Sequence, residues 1–168
     1  MTKKLYLLRH AEAPNDFTVD DKNRALSAHG QAQAQHVGEY LKAENITIDL
    51  ALCSTATRTK MTLESIVEAS ATIKKTEFQD SLYNAPTSAI LESIQNCPAD
   101  INNILVVAHN PGIHQLAYRL AENGNNQEIQ KLSFSYAPAT LSIYTIEHDN
   151  WAEITKTLIT LDKVITPD

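Results

Sequence analysis

The sequence predicts an α/β fold, a three-layer α/β/α sandwich around a mostly parallel central sheet. Short apolar runs of strand length occur at 5–8, 48–53 and 104–108. Each run is followed by a stretch with helical periodicity, so strands and helices alternate along the chain. The C-terminal part alternates apolar and polar residues at 140–146 and more loosely at 151–158, which predicts an antiparallel pair at the sheet edge.

Residues at the ends of the predicted helices indicate where they begin and stop. Ser27 is predicted to cap the first helix, at about 28–44, and the hydroxyl groups of 54–57 are predicted to cap the second. Asn110 suits the N-cap and Pro111 the first position of a later helix that would run to Asn123. The remaining elements are a short helix at 87–95 and a strand or turn at 77–82.

Length, charge and cysteine content limit the classes of function. The 168 residues fit a single domain with a sizeable core, which we expect to span 1–168. The net charge of −6 argues against nonspecific binding to nucleic acid or to an anionic membrane. No run approaches the roughly 18–20 apolar residues of a membrane span. Cys53 and Cys97 have neither metal nor redox spacing, so a cytoplasmic protein with free thiols is expected.

Four residues carry the chemistry that the sequence predicts. Arg9 and His10 follow the first apolar run, His109 follows the run at 104–108, and Arg58 falls in the first turn of the second helix. Because the carboxyl ends of parallel strands meet at one edge of a sheet, we expect these side chains to lie together.

An arginine and histidine cluster of this kind suits phosphoryl transfer. A neutral imidazole can attack phosphorus and carry the phosphoryl group, while arginine binds the phosphoryl oxygens through its planar, permanently charged fork. Two arginines beside His10 would lower its pKa and keep the ring neutral near pH 7. Since the chain is acidic as a whole, anion binding must come from this local pocket.

The residues around this cluster resemble the motifs of the histidine phosphatase superfamily. Leu7 to Ala13 is similar to its RHG-type signature, with Ala11 where glycine is usual. Three further segments match in order: 24–31 (R-x-L-S-x-x-G), 53–62 (S-x-x-x-R-x-x-x-T) and 108–112, the H-N-P form of the small SixA-type branch. The resemblance implies a SixA-type phosphohistidine phosphatase with His10 as nucleophile. It implies Arg9, Arg58 and His109 as phosphate ligands, with no cofactor and no metal.

The sequence departs from the larger members of the family in one respect. Those members carry an acidic general acid between the second arginine and the late histidine, but the comparable stretch 80–86 holds only Asp80. An alcohol leaving group needs such a proton donor more than an imidazole does, so the departure favours phosphohistidine over a phosphate ester. The expected partner is a phosphorylated protein of the histidine-phosphotransfer type, or a small phosphorylated molecule.

Several alternatives stay open from the sequence. The chain could act on small phosphate esters, or bind phosphate without catalysis. A metal-dependent hydrolase using His10, Glu12 and His109 is disfavoured because the arginines would repel a divalent cation. Glu12 is a candidate general acid, but also a candidate partner for a basic residue or a solvated side chain. Arg24 is a candidate substrate ligand at the pocket rim or part of a surface salt bridge.

Overall fold

The computed structural model describes residues 2–167, so Met1 and Asp168 of the predicted domain lie outside the described residues. The strands are β1 (Lys3–Arg9), β2 (Thr47–Ile48), β3 (Leu50–Ser54), β4 (Thr72–Ile73), β5 (Thr76–Gln79), β6 (Asn103–Ala108), β7 (Asn123–Gly124), β8 (Leu141–Ile146) and β9 (Ile159–Ile165). The helices are α1 (Ala28–Ala43), α2 (Thr57–Glu68), α3 (Thr87–Gln95), α4 (Gly112–Arg119) and α5 (Asn126–Ser133).

Seven strands form one mixed sheet in the order β5-β3-β6-β1-β8-β9-β7, which confirms the predicted fold class. The strands β5, β3, β6 and β1 are parallel, and β8 runs antiparallel to both β1 and β9. The two-residue strand β7 pairs with β9 and forms the sheet edge. The strands β2 and β4 pair separately, beyond the main sheet.

Helices cover both faces of the sheet because its strands are apolar on both faces. In β1, Leu5 and Leu7 pack into one core, while Tyr6 and Leu8 pack into the other. The first core holds the apolar sides of α3 and α4 with Leu132 of α5, and the second holds those of α1 and α2. A parallel sheet that is buried on both faces reads as continuous apolar runs, as the sequence does here.

The pairing of β1 with β6 positions the candidate site. The two strands are parallel neighbours, with Arg9 opposite Ala108. The residues that follow, His10 and His109, therefore leave the sheet side by side. The backbone N–H of His10 donates to the carbonyl of Ala108 at 3.2 Å, and this bond holds the ends of β1 and β6 in register.

The C-terminal third differs from the prediction in three places. The segment at 151–158 is mostly a 3-10 turn (Trp151–Lys156), and the strand that pairs with β8 begins at Ile159. The helix predicted to reach Asn123 ends at Arg119, and Asn123–Gly124 pairs with β9 instead. The helix α5 was not predicted, because among its eight residues only Ile129 and Leu132 are apolar.

Two predicted helix caps are also wrong, and one is confirmed. Ser27 caps α1 by accepting a hydrogen bond from the N–H of Gly30. The N-cap of α2 is Ala56, which has no hydroxyl group, and that of α4 is Pro111. The side-chain amide of Asn110 donates to the carbonyl of Tyr136 and does not cap the helix. Across residues 2–167, no helix has both the length and the apolar character needed to cross a membrane.

Candidate active site

The structure brings the four predicted residues to the carboxyl edge of the sheet. The ring centroids of His10 and His109 lie 5.3 Å apart, and both residues are buried, at 6% and 2% exposure. Arg9 is the last residue of β1, and Arg58 is the second residue of α2, which leaves β3 beside β6. These positions result from the parallel order β3-β6-β1.

A backbone carbonyl orients the ring of His10. Its Nδ1 lies 2.7 Å from the carbonyl oxygen of Ala11, which can only accept, so Nδ1 carries the proton. In the neutral ring the lone pair is then on Nε2, and Nε2 makes no hydrogen bond within residues 2–167. The geometry leaves one nitrogen of His10 free to act as a nucleophile.

Both histidines are held in the neutral form. Burial first, and then the nearby charges of Arg9, Arg58 and Arg24, lower the pKa of His10 to about 4, against the hydrogen bond to Ala11. Burial also lowers the pKa of His109 to about 3, with Arg58 as the next contributor. The direction agrees with the expectation from sequence for His10, but the largest cause is burial and not the arginines.

Three buried nitrogens of the site have no hydrogen-bond partner among the described residues. Arg9 donates from Nη1 to the carbonyl of Tyr136, and Arg58 donates from Nη1 to the carbonyl of Asp21. The buried nitrogens Nε of Arg9, Nε of Arg58 and Nδ1 of His109 have no hydrogen-bond partner in the structure. An unsatisfied buried donor costs about 1–3 kcal/mol, which an anion that accepts from it would recover. A site with buried, positively charged and unpartnered donors is suited to a phosphate group.

Threonines of α2 connect Arg58 to the His10 segment. The hydroxyl of Thr62 donates to the carbonyl of Arg58 at 2.7 Å and accepts from the N–H of Ala11 at 3.0 Å. The hydroxyl of Thr59 donates to the carbonyls of Ser54 and Ala56. The hydroxyl of Thr62 therefore fixes the position of Arg58 relative to the chain at Ala11, next to His10.

The comparison with known families decides the classification. Residues 5–83, which include Arg9, His10 and Arg58, match the model of the histidine phosphatase superfamily (branch 1). A candidate phosphohistidine phosphatase SixA from Nakamurella multipartitia superposes with a TM-score of 0.86 at 27% identity, over 99% of this chain and 97% of that one. In sequence and in fold the chain is similar to the histidine phosphatase superfamily.

Another solved structure and a sequence relative also match most of the chain. The protein histidine phosphatase SixA, solved with tungstate, has the same fold with a TM-score of 0.77 at 17% identity, over 98% of this chain and 97% of that one. An uncharacterized protein of Mycobacterium tuberculosis is 27% identical over 150 residues, which is 88% of this chain and 91% of the relative. The family resemblance seen in the motifs is thus confirmed.

The structure places the two further candidates, Glu12 and Arg24, beside the site. The carboxylate of Glu12 accepts a hydrogen bond from the hydroxyl of Ser27 at 2.7 Å, at the start of α1. Arg24 donates to the carbonyl of Ala13 at 2.6 Å and forms an ion pair with Asp21 at 3.1 Å. Both side chains hold the loop after β1, and Arg24 also contributes its charge to the lowered pKa of His10.

The remaining acid of the 80–86 stretch is at the surface. The carboxylate of Asp80 bonds to the hydroxyl of Thr55 and pairs with Lys22, and its side chain is 81% exposed. Within residues 2–167, no group of three or more histidine, cysteine and acidic side chains is arranged to hold a metal ion.

Sequence reasoning missed Asp21 and the function of Ser54. The carboxylate of Asp21 bonds to Arg58, Arg24 and Tyr83 at the mouth of the site. The hydroxyl of Ser54 lies 2.8 Å from Nε2 of His109. Ser54 was visible as the first residue of the S-x-x-x-R-x-x-x-T motif, but Asp21 lies in a polar loop without periodicity and gave no signal.

Proposed function

We propose that this chain is a histidine phosphatase that removes phosphate from phosphohistidine on a protein, through a covalent intermediate on His10 and without a metal ion. The observation that carries the proposal is the tautomer of His10. Its Nδ1–H donates to Ala11, which leaves the Nε2 lone pair free beside Arg9 and Arg58. A neutral, oriented imidazole next to two guanidinium groups supports nucleophilic attack on a phosphoryl group.

The first step transfers the phosphoryl group to the enzyme. The lone pair of His10 Nε2 forms a bond to phosphorus, and the bond between phosphorus and the substrate nitrogen breaks, with its electron pair leaving on that nitrogen. Nδ1 of His10 keeps its proton on the Ala11 carbonyl, so the phosphorylated ring is a cation that this carbonyl stabilises. Arg9, Arg58 and His109 would supply donors to the phosphoryl oxygens.

The second step returns the enzyme to its starting state. Water attacks phosphorus, the bond to Nε2 breaks, and its electron pair returns to His10 as a neutral imidazole with the proton still on Nδ1. The protons of the attacking water stay with the released phosphate and the solvent. No cofactor is needed to balance either step.

The lack of a placed proton donor supports a nitrogen leaving group. Glu12 bonds to Ser27, and Asp80 is exposed at the surface. Hydrogen bonding from Tyr83 holds the pKa of Asp21 well below its usual range, against the effect of burial, so this acid is ionised at neutral pH. A phosphorylated imidazole that carries a proton on its other nitrogen leaves as a neutral ring and needs no general acid.

The test is phosphate release from a phosphohistidine-bearing protein and from a panel of phosphate esters. We expect rapid release from phosphohistidine and loss of turnover by a factor of at least about 10³ in His10→Ala, because the nucleophile is removed. His36→Ala is the matched control, since this histidine lies on the exposed side of α1. An acid-labile, base-stable phosphoryl group on His10 should be trapped by rapid quenching of the wild type.

Two results would contradict the proposal. Ester hydrolysis faster than phosphohistidine hydrolysis would make the protein an ester phosphatase, with a general acid that the described contacts do not provide. Binding of phosphate without turnover of any substrate would make it a phosphate-binding module.

A further inference from the structure

The carboxylate of Asp21 stands at the mouth of the candidate site. Asp21 accepts hydrogen bonds from Arg58 Nη2 at 3.2 Å, Arg24 Nε at 3.1 Å and the Tyr83 hydroxyl at 2.5 Å. Asn84 is a weaker fourth donor at 3.5 Å. The side chain of Asp21 is 49% exposed, whereas that of Arg58 is 3% exposed, so the carboxylate lies on the outward side of the guanidinium.

The carboxylate does not occupy the donors that remain for phosphate. Arg58 donates from Nη2 to this carboxylate and from Nη1 to the backbone carbonyl of Asp21. Nε of Arg58 stays without a partner, as do Nε of Arg9 and Nδ1 of His109. Asp21 can therefore keep its contacts while a phosphoryl group accepts from the other three nitrogens. A bound substrate would then present its leaving group to a fixed negative charge.

We propose that Asp21 is a specificity-determining residue that selects phosphoramidates with a cationic leaving group over phosphate esters. This inference rests on the proposed function. A phosphorylated imidazole protonated on its second nitrogen is a cation, and a carboxylate beside it stabilises this reactive form. When the bond between phosphorus and nitrogen breaks, the electron pair neutralises the ring, which leaves with its proton. The oxygen of an ester instead gains negative charge, which Asp21 disfavours in the transition state.

The groups around Asp21 keep its carboxylate ionised at neutral pH. Arg58, Arg24 and Tyr83 contact it from three different segments, and the hydrogen bond from Tyr83 is the largest cause of its lowered pKa. The field of Asp21 also reaches His109, whose pKa it raises against the stronger lowering by burial and Arg58. A charge that is felt at His109 is close enough to act on a group bound there.

The experiment compares two small probes, phosphoimidazole and p-nitrophenyl phosphate, in the wild type and Asp21→Asn. Asparagine keeps the shape and can still accept from Arg58, but it has no charge. We expect kcat/KM for phosphoimidazole to fall by about tenfold or more, while kcat/KM for the ester stays within about twofold or rises. As the pH is raised, kcat for phosphoimidazole should also begin to fall at a lower pH in the variant, because the carboxylate no longer favours the protonated ring of the bound probe.

Two further variants separate charge from structure. Asp80→Asn is the matched control, an exposed carboxylate at the rim that contacts Lys22 and Thr55, and it should leave the ratio of the two probes unchanged. Asp21→Glu keeps the charge and should keep the preference for phosphoimidazole, even if both activities decrease. Thermal unfolding of each variant would verify that the loop still packs.

The outcomes distinguish this inference from the proposed function. If the wild type hydrolyses phosphoimidazole and Asp21→Asn loses activity equally on both probes, or on neither, Asp21 does not set specificity and only the inference is overturned. If the wild type hydrolyses the ester but not phosphoimidazole, both the proposed function and the inference are overturned.

Discussion

Ser54 is the hydrogen-bond partner of His109. Its hydroxyl already accepts from the N–H of Ala56 at 3.3 Å, and the ring of His109 is the one acceptor that its proton reaches among the described residues. We expect the Ser54 hydroxyl to donate to Nε2 of His109, which would place the ring proton on Nδ1. This is the buried nitrogen that has no partner, and with its proton it would be a donor for an anion.

Replacing Ser54 with alanine tests this assignment. We expect Ser54→Ala to leave His109 as a mixture of tautomers, visible in ¹⁵N chemical shifts, and to lower kcat about tenfold with a smaller change in KM. Ser65→Ala, a buried serine of α2, is the control and should change neither. A single unchanged tautomer in Ser54→Ala would show that the serine does not set it.

The site residues that were predicted from the sequence follow local patterns, whereas those that were missed depend on tertiary contacts. Apolar runs that are recognisable as strands precede Arg9, His10 and His109. The convergence of these residues therefore follows from sheet topology. Asp21 reaches Arg58 across 37 positions through a loop, and no periodic pattern reports such a contact. Ser54 was visible in its motif, but its bond to His109 depends on how β3 and β6 align.

At the scale of elements, the first helix must approach the His10 segment closely. The N–H of Ser27 donates to the carbonyl of Glu12, and a Cβ on Gly30 would overlap that same carbonyl oxygen. The glycine of the R-x-L-S-x-x-G motif therefore allows α1 to lie against the chain that leaves β1. The approach keeps Ala11, and with it the orientation of His10, in place.

Gly30→Ala tests this close approach. The added methyl group must displace the Glu12 backbone or the helix, and we expect the free energy of unfolding to fall by about 1–3 kcal/mol in urea titration. Ala32→Ser, at an exposed position of the same helix, should change it little. Equal stability of Gly30→Ala and the wild type would mean that the backbone adjusts freely at this point.

The elements that were predicted correctly are those that local sequence patterns, such as capping residues and periodicity, determine. Ser27 and the helix α3, with bounds Thr87–Gln95 as expected, follow from capping and periodicity alone. The C-terminal elements depend on tertiary pairing, since Asn123–Gly124 becomes a strand only because β9 lies beside it. Trp151 and Ile154 are buried three positions apart in a 3-10 turn, which loose alternation cannot distinguish from a strand.

At the scale of the whole molecule, the two buried histidines make stability depend on pH. In the unfolded chain their pKa is near 6.5, but in the folded protein it is about 4 for His10 and about 3 for His109. As pH falls below 6.5 the unfolded state binds protons that the folded state does not. The free energy of unfolding therefore decreases toward acid pH, and this decrease ends only below the folded pKa values.

Urea unfolding at pH 7 and pH 5 measures this effect. We expect the wild type to lose about 2 kcal/mol for each of the two histidines between these values. His10→Ala should lose about 2 kcal/mol less than the wild type over the same interval, because one titrating group is absent. An identical pH dependence in both proteins would show that His10 is protonated as readily in the folded state as in the unfolded chain.

The contact between Arg9 and Tyr136 joins residues that are 127 positions apart. The same carbonyl of Tyr136 accepts from Asn110, and the Tyr136 hydroxyl donates to the carbonyl of Leu7 within β1. A nascent chain that ends before Asn110 and Tyr136 therefore contains the nucleophile but not the groups that hold its neighbours. Catalytic competence is acquired late in synthesis, when Tyr136 can pack against β1.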